Sequence, residues 1–502
     1  MNFPKAESAD IGLLLEGTYP YVAGGVSSWV HQIIRAFPEY RFALAFLGST
    51  PADYGDMKYR MPDNVVHLET HYIHSGSDRP EVRAEPGDPK AFDMVKRLHQ
   101  YFREPRQHSP EVVAESLAAI SSQGNLSDAA FLYSRASWDY TTEQYRAFSR
   151  DPSFIDYFWT VRTMHAPLWM LARVAETFPP VKAYHSVSTG YAGFLAALLR
   201  WKTGRPLILS EHGIYTKERK IDLFQSEWIK DNRDPFDRDP AEIGYLRQLW
   251  IRFFESLGRM CYDAAGDIVA LYETNRQRQI ADGAKPERTR NVPNGIDLPR
   301  LSALRPRRAP GAPPKNLCLL GRVVPIKDVK TFVRAIRVAA NRLPGIEGWI
   351  AGPEDEDPEY AAECRALADS LGVADKVKFL GFQKIDELLP RVGLLALSSI
   401  SEALPLVILE GYAAGVPSIA TDVGSCRQLI YGLPGEDAAL GASGRVVGIA
   451  DPTALALAAV ELLGDPEAWH AAQKAGIARV EKYYTQERMF SSYRELYSKA
   501  LG

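Results

Sequence analysis

Cysteine is scarce. The 502 residues hold four, Cys261, Cys318, Cys364 and Cys426, far apart and in no C-x-x-C or Cys/His metal spacing. That excludes a disulfide framework and a cysteine-based zinc site, and it leads to the expectation of a reduced, cytoplasmic protein. A basic excess is also missing: 59 lysines and arginines stand against 62 carboxylates, for a net charge of −3. Nothing in that balance favours a nucleic-acid surface, so any basic site must be local. No run of about 18 apolar residues is present to cross a bilayer, and YAGFLAALL has the length of a core helix. The opening residues, MNFPKAESADIGLLLEG, lack the apolar stretch and small-residue cleavage site of a signal peptide.

What is there is globular. Hydrophobic residues make up 46% and charged residues 24%, and a chain this long exceeds one ordinary core, so two or three domains are expected. IGLLL (11–15) reads as a buried strand, TYPYVAGG as a turn-rich loop. Val26, Trp29, Val30, Ile33, Ile34 and Phe37 then recur at helical spacing. FALAFLG (42–48) and VVHLE (65–69) are further strands. Residues 75–165 begin polar and become helical and aromatic, an insertion into the α/β pattern. Strands return at VKAYHSV, LILSEHG and DIVALYE, with a helix at WIRFFESLGRMCYDAA. The proline- and arginine-rich segment DLPRLSALRPRRAPGAPPK (297–315) reads as a domain boundary. After it KNLCLLGR, IEGWIAGP, KVKFLGF, LLALSS and PSIATD alternate with helices. This rhythm predicts a doubly wound parallel sheet with ligand sites beyond the carboxyl ends of its strands. The expected division is a first domain over 1–297, a linker over 298–315, a second domain over 316–480, and a final helix over 481–502 packing back on the first.

Four pieces fall where such sheets bind ligands. Gly24-Gly25 precedes the first helix, where backbone N–H groups approach an anion; the alternative is a plain turn, since neither G-x-G-x-x-G nor a P-loop lysine is present. GRVVPIKD (321–328) follows a strand, and there Arg322 and Lys327 suit phosphate oxygens, unless they are a solvated loop pair. In SISEALPLVILEGYAAG, Glu402 lies in a loop and Glu410 in the second turn of a helix that has Pro405 in its first. Glu410 shares a face with Leu406, Ala413 and Ala414, and a carboxylate there is costly to bury without hydrogen-bond donors; ligand hydroxyls would serve. Backbone N–H groups near Leu404 to Val407 border the same place, so Ala403, Leu404, Pro405 and Leu406 are counted with the donor-binding residues. His212, in EHG at a strand end, is the fourth piece, with a structural histidine as the alternative.

G-R-x4-K-D followed by E-x7-E, with GG after the first strand and EHG near mid-chain, resembles glycosyltransferase family 4 over about residues 11–49 and 181–495. The strings EGTYPYVAGGVSSWVHQII and LILSEHGIYTKERKIDL are similar to the subgroup serving bacterial Pel exopolysaccharide synthesis, which the helical insertion also fits. The resemblance implies the GT-B fold, two Rossmann-like doubly wound domains facing a cleft. It implies a retaining, metal-independent UDP-sugar transferase with no cofactor, extending a polysaccharide acceptor of the biofilm matrix. Glu410 would hold the ribose, Glu402 the donor hexose, and Arg322 and Lys327 the diphosphate. Gly24 and Gly25 would let the first-domain loop approach, His212 would assist near the sugar, and Phe382 would border the base. Partners would be inner-membrane subunits of a Pel synthase, recruiting the protein to the membrane, and no nucleic acid is expected.

Other strings are weaker. Asp237-Arg238-Asp239 spells D-x-D but lies in a polar loop with no strand leading in, and Asp355 and Asp357 in GPEDEDPEY are likewise read as solvated loop charges. His67, His71 and His74 are irregularly spaced and fit a loop rather than a zinc site. The aromatics of 131–169 suit the core of the insertion, with acceptor binding or docking as the alternative. Two other classes fit the same pocket: a non-hydrolysing UDP-sugar epimerase, and a catalytically silent nucleotide-sugar-binding subunit of a membrane synthase.

Overall fold

The structure is a computed structural model that describes residues 5–74, 86–104, 126–149, 153–226, 229 and 243–502. It divides into two units: Met1–Ala270 with Asn275–Asn291 and Tyr493–Gly502, and Leu271–Thr274 with Val292–Ser492.

The first unit is built on seven strands: β1 (Ile11–Glu16), β2 (Phe42–Gly48), β3 (Val65–Tyr72), β4 (Ala183–Ser186), β5 (Leu207–Glu211), β6 (Asp267–Ala270) and β7 (Thr289–Asn291). Their order is β3-β2-β1-β4-β5-β6-β7, and every pairing is parallel. β1 and β2 are covered on both faces, so their sequences are continuous apolar runs rather than alternating ones. The chain steps outward from β1 to β3 and then returns to β4 on the other side of β1. That reversal opens a crevice at the carboxyl ends of β1 and β4.

The insertion between β3 and β4 is helical where described: Ala91–Arg103, Asp128–Tyr133, Arg135–Phe148 and Phe154–Thr177. Ser127, Ser134 and Ser153 cap the last three by accepting the N–H groups of Ala130, Ser137 and Asp156. The last helix runs well past residue 165, where the insertion was expected to end. Phe131, Tyr140, Tyr157 and Trp169 are buried, whereas Trp138 and Trp159 remain about half exposed. His67 and His71 are strand residues of β3, not loop residues. With Glu69 between them they occupy alternate positions on one face, and the two imidazoles, 3.5 and 3.3 Å away, hold that half-buried carboxylate down near 2 against its burial. No group of side chains among the described residues is arranged to hold a metal ion, and Asp237–Asp239 lies outside them. All four cysteines are free and buried.

The second unit has β8 (Asn316–Leu320), β9 (Glu347–Ala351), β10 (Val377–Gly381), β11 (Leu394–Leu397), β12 (Ser418–Thr421) and β13 (Gly444–Val447), in the order β10-β9-β8-β11-β12-β13, again all parallel. Here the reversal lies between β8 and β11. Both doubly wound sheets follow from the α/β rhythm; the short edge strands β7 and β13 do not, because TRN and GRVV lack the long apolar run that marks a central strand.

The segment 297–315 is no free linker. Leu301 and Leu304 are buried, Arg305 donates to the Ala413 carbonyl at 2.7 Å, and Arg308 donates to those of Leu389 and Val392 at 2.9 and 2.8 Å. Its arginines satisfy carbonyls of the second unit, to which the segment belongs. The helix Gln486–Leu501 is divided, its residues from Tyr493 onward belonging to the first unit. Among the described residues no helix is long and apolar enough to cross a membrane.

Candidate active site

In the second unit the loop after β8 carries Arg322 and Lys327. Gly321 ends the strand, and a one-turn 3-10 helix, Pro325–Lys327, leads to Asp328. Asp328 is left-handed at φ 44°, a conformation its short polar side chain tolerates, and it caps the helix Val329–Ala340 by accepting the Thr331 N–H at 3.2 Å. The loop is tied to the end of β11. Ser398 Oγ donates to the Lys327 carbonyl at 2.8 Å, and the Ile400 N–H donates to the Ile326 carbonyl at 2.9 Å. Both bonds are accepted by backbone carbonyls of the loop, so they place Lys327 independently of its side chain.

The ammonium of Lys327 meets Glu402 Oε1 at 2.5 Å, and Ser399 Oγ donates to the same oxygen at 2.7 Å. Both groups are mostly covered, with side-chain exposures of 22% and 14%. Arg322 does not join them: its Nη1 pairs with both oxygens of Glu356 at 2.5 and 2.6 Å, in a half-exposed ion pair. Such surface pairs contribute about 0–1 kcal/mol and exchange readily for a better anion. Asp357 is a helix cap, accepting the Tyr360 N–H at 3.0 Å.

Pro405 is the N-cap of the helix Leu406–Ala413, one place earlier than the expected first-turn position, and no side chain caps that end. Leu404 and Pro405 are buried, while Ala403 and Leu406 are partly covered. Gly424, left-handed at φ 53°, seats the loop after β12 under this segment; a Cβ there would lie 2.3 Å from the Glu402 carbonyl oxygen and 2.4 Å from that of Ala403. Glu410 projects from the second turn, and burial raises its pKa, partly offset by Arg300 and reinforced by Asp386. Phe382 stands 78% exposed after β10, at the sheet edge.

In the first unit, Gly24 is the N-cap of the helix Gly25–Ala36, with extended backbone at φ 168°. A Cβ added at Gly24 or Gly25 would meet nothing within 4 Å. Neither conformation nor packing demands these glycines, so their effect is to leave the helix entrance open. His212 follows β5 and packs on Trp29 of that helix, with ring centroids 4.6 Å apart. It is buried, its Nε2 has no hydrogen-bond partner among the described residues, and burial pushes its pKa down to about 4, so the ring is neutral at physiological pH. Val26 and His212 line one cleft of about 510 Å³, together with Glu16, Ser188, Tyr215 and Arg219. Glu16 ends β1; its carboxylate accepts the Ala192 N–H at 3.1 Å and the Tyr215 hydroxyl at 2.8 Å, and burial raises its pKa. The sequence reading missed Glu16, Glu356 and Gly424; a carboxylate closing an apolar strand was the available signal for the first.

Glu211, beside His212, is buried and accepts from Thr189, Tyr262 and Gln279 at 2.9, 2.7 and 2.9 Å. Desolvation outweighs those donors and pushes its pKa up from 4.5 to about 7. Below 4.5 it is protonated folded or unfolded. Between about 4.5 and 7 the unfolded chain ionises while the fold retains the proton, so this group's stability is lost as pH rises through that window, by about 1.4 kcal/mol per pH unit. Glu211→Gln should therefore gain on wild type from pH 4.5 to 7 in melting experiments and hold its lead above. A melting difference that stays constant with pH would refute the shift.

Comparison with known proteins adds the family. The profile described as Domain of unknown function (DUF3492) matches residues 9–287, more than half of the chain. The chain belongs to that family. In this DUF3492 protein, residues 314–465, which lie in the second unit, match the profile described as Glycosyl transferases group 1. A curated relative, the D-inositol 3-phosphate glycosyltransferase of Actinosynnema mirum, is 34% identical over 154 residues, 28% of this chain and 37% of that protein. The chain spans 37% to 54% of the lengths of such relatives. Among solved structures, Anabaena HepE in complex with UDP is 14% identical with a TM-score of 0.57, covering 98% of this chain and 100% of that one. Sucrose-phosphate synthase of Thermosynechococcus elongatus is 17% identical with a TM-score of 0.55, covering 98% of each. These are likenesses of fold, and the fold is GT-B.

Proposed function

We propose that the protein is a retaining glycosyltransferase that moves a hexose or N-acetylhexosamine from a UDP-sugar to a growing exopolysaccharide of the Pel type. The observation that carries the reading is the Lys327–Glu402 contact at the β8/β11 switch point, where doubly wound sheets bind nucleotides. In this reading Lys327 leaves Glu402 for a diphosphate oxygen. Arg322 leaves Glu356 for another, and Glu402 accepts a hydroxyl of the donor hexose. Glu410 accepts the ribose hydroxyls, donors suited to a carboxylate whose charged form burial disfavours. Phe382 offers a face to the base.

In the transfer step the acceptor oxygen bonds to the anomeric carbon as the bond from that carbon to the diphosphate breaks. Attack comes from the leaving-group side, and the acceptor proton passes to a diphosphate oxygen. Charge grows on the diphosphate, so Lys327 and Arg322 stabilise the transition state more than the ground state without a metal. HepE, of the same fold, was solved with UDP, which favours uridine over other bases.

Calorimetric titration of the purified chain with UDP, ADP and GDP in EDTA tests this. UDP-selective binding followed by acceptor-dependent release of UDP from a UDP-sugar is expected. Binding without an acceptor-dependent product would leave an epimerase or a silent subunit; no nucleotide binding by the folded protein would end the transferase reading.

A further inference from the structure

The helical insertion and the helix Tyr245–Ala264 line a second cavity of about 140 Å³, which shares no lining residue with the first unit's cleft. Its wall is mainly aromatic and aliphatic, with Phe102, Tyr157, Val161, Met164 and Phe253 all buried. At its inner end lie two histidines whose hydrogen bonds are fixed by elimination. His165 Nδ1 is 2.6 Å from the Val161 carbonyl, which only accepts, so Nδ1 carries the proton. In the neutral ring Nε2 is then an acceptor, and His99 Nε2 donates to it at 2.7 Å. That leaves His99 Nδ1 to accept from the Tyr140 hydroxyl, also at 2.7 Å. Burial favours the neutral rings, lowering both pKa values, His165 to about 4. Every ring nitrogen is thus satisfied by protein, and the histidines present no spare donor or acceptor to an occupant.

The rim is different. Arg103 donates to Gln144 Oε1 at 3.0 Å and lies 3.9 Å over the ring of Phe148, which is itself 45% exposed. Arg252 is the other rim cation and is exposed. Among the described residues no carboxylate lines the cavity. Well-packed interiors seldom keep a void of this size, and a cavity near 150 Å³ accommodates a molecule such as benzene.

We propose that this cavity is a binding site for a small organic anion whose apolar part is one aromatic ring or a short alkyl chain. The ring enters against Phe102, Met164 and Phe253, and the anionic head stays at the rim with Arg103 and Arg252. The assignment is independent of the transfer reading, since none of these residues belongs to the candidate active site.

Three probes with one ring and different heads test it: 3-phenylpropanoate, 3-phenylpropanol and 3-phenylpropylamine, titrated into the full chain by calorimetry and ligand-observed NMR. The carboxylate is expected to bind saturably, about fivefold tighter than the alcohol, which follows from one rim ion pair of the usual strength, and the amine weakest. Arg252→Glu, at an exposed position that leaves the fold intact, should reverse the order of carboxylate and amine. Leu249→Trp, which narrows the lining, should abolish binding of all three. Equal binding of the three heads would overturn the anion assignment, as would an order unchanged in Arg252→Glu. Absence of saturable binding by any probe to the folded chain would overturn the site, leaving the cavity as a packing void.

Discussion

Lys327→Ala should lower UDP-sugar turnover about a hundred- to a thousandfold, the range for losing one preorganised group aimed at developing charge. The carbonyls of Ile326 and Lys327 are held by Ile400 and Ser398, so the loop should keep its place when the side chain is cut. The stability cost should be modest, because the Lys327–Glu402 pair retains some solvent contact and Ser399 still donates to Glu402. A melt within a few degrees of wild type, with turnover and UDP affinity both reduced, is the expected combination. Wild-type turnover in this variant would remove Lys327 from the chemistry and with it the assignment of the switch-point pair.

The largest expected effect on stability lies elsewhere. Arg479, in the helix Pro466–Tyr483, is fully buried and pairs with Asp437 Oδ2 at 2.6 Å. Its remaining donors reach the Ile430 and Gly441 carbonyls at 3.0 and 2.9 Å and Ser443 Oγ at 3.0 Å. Asp437 Oδ1 accepts the Leu433 N–H at 2.7 Å, so one guanidinium organises the whole turn before β13. Arg479→Leu would leave a buried carboxylate without its cation and take the guanidinium from the Gly441 carbonyl, while the Ile430 carbonyl keeps the Ser443 N–H at 2.9 Å. A loss of about 3–5 kcal/mol is expected from breaking one side of such a pair, read as a lowered urea midpoint. Adding Asp437→Leu should recover part of it, because the stranded charge then disappears. An Arg479→Leu midpoint equal to wild type would show that the turn is held by other contacts.

Much of this protein is determined locally. Continuous apolar runs such as FALAFLG make two-face-buried strands wherever helices cover both sides, and they stand at β2 as read. The same holds for Glu410 on the second turn of its helix, while Pro405 stands one place earlier than read, as the N-cap. Side-chain partners are another matter. Nothing in GRVVPIKD says that Arg322 meets Glu356 while Lys327 meets Glu402; that depends on β9 and β11 flanking β8, an order set by chain reversal across the sheet. Arg305 and Arg308 looked like linker charges because their acceptors, Ala413, Leu389 and Val392, are 80 or more residues away. His67 and His71 looked irregular until pairing with β2 extended β3 beyond its apolar start and set them on either side of Glu69. The sequence by itself determined the elements and their α/β order, because apolar periodicity is a local property. Only the tertiary structure decided which charges meet, which carboxylates lose water and where a cavity is left, because those depend on distances between residues far apart in the chain.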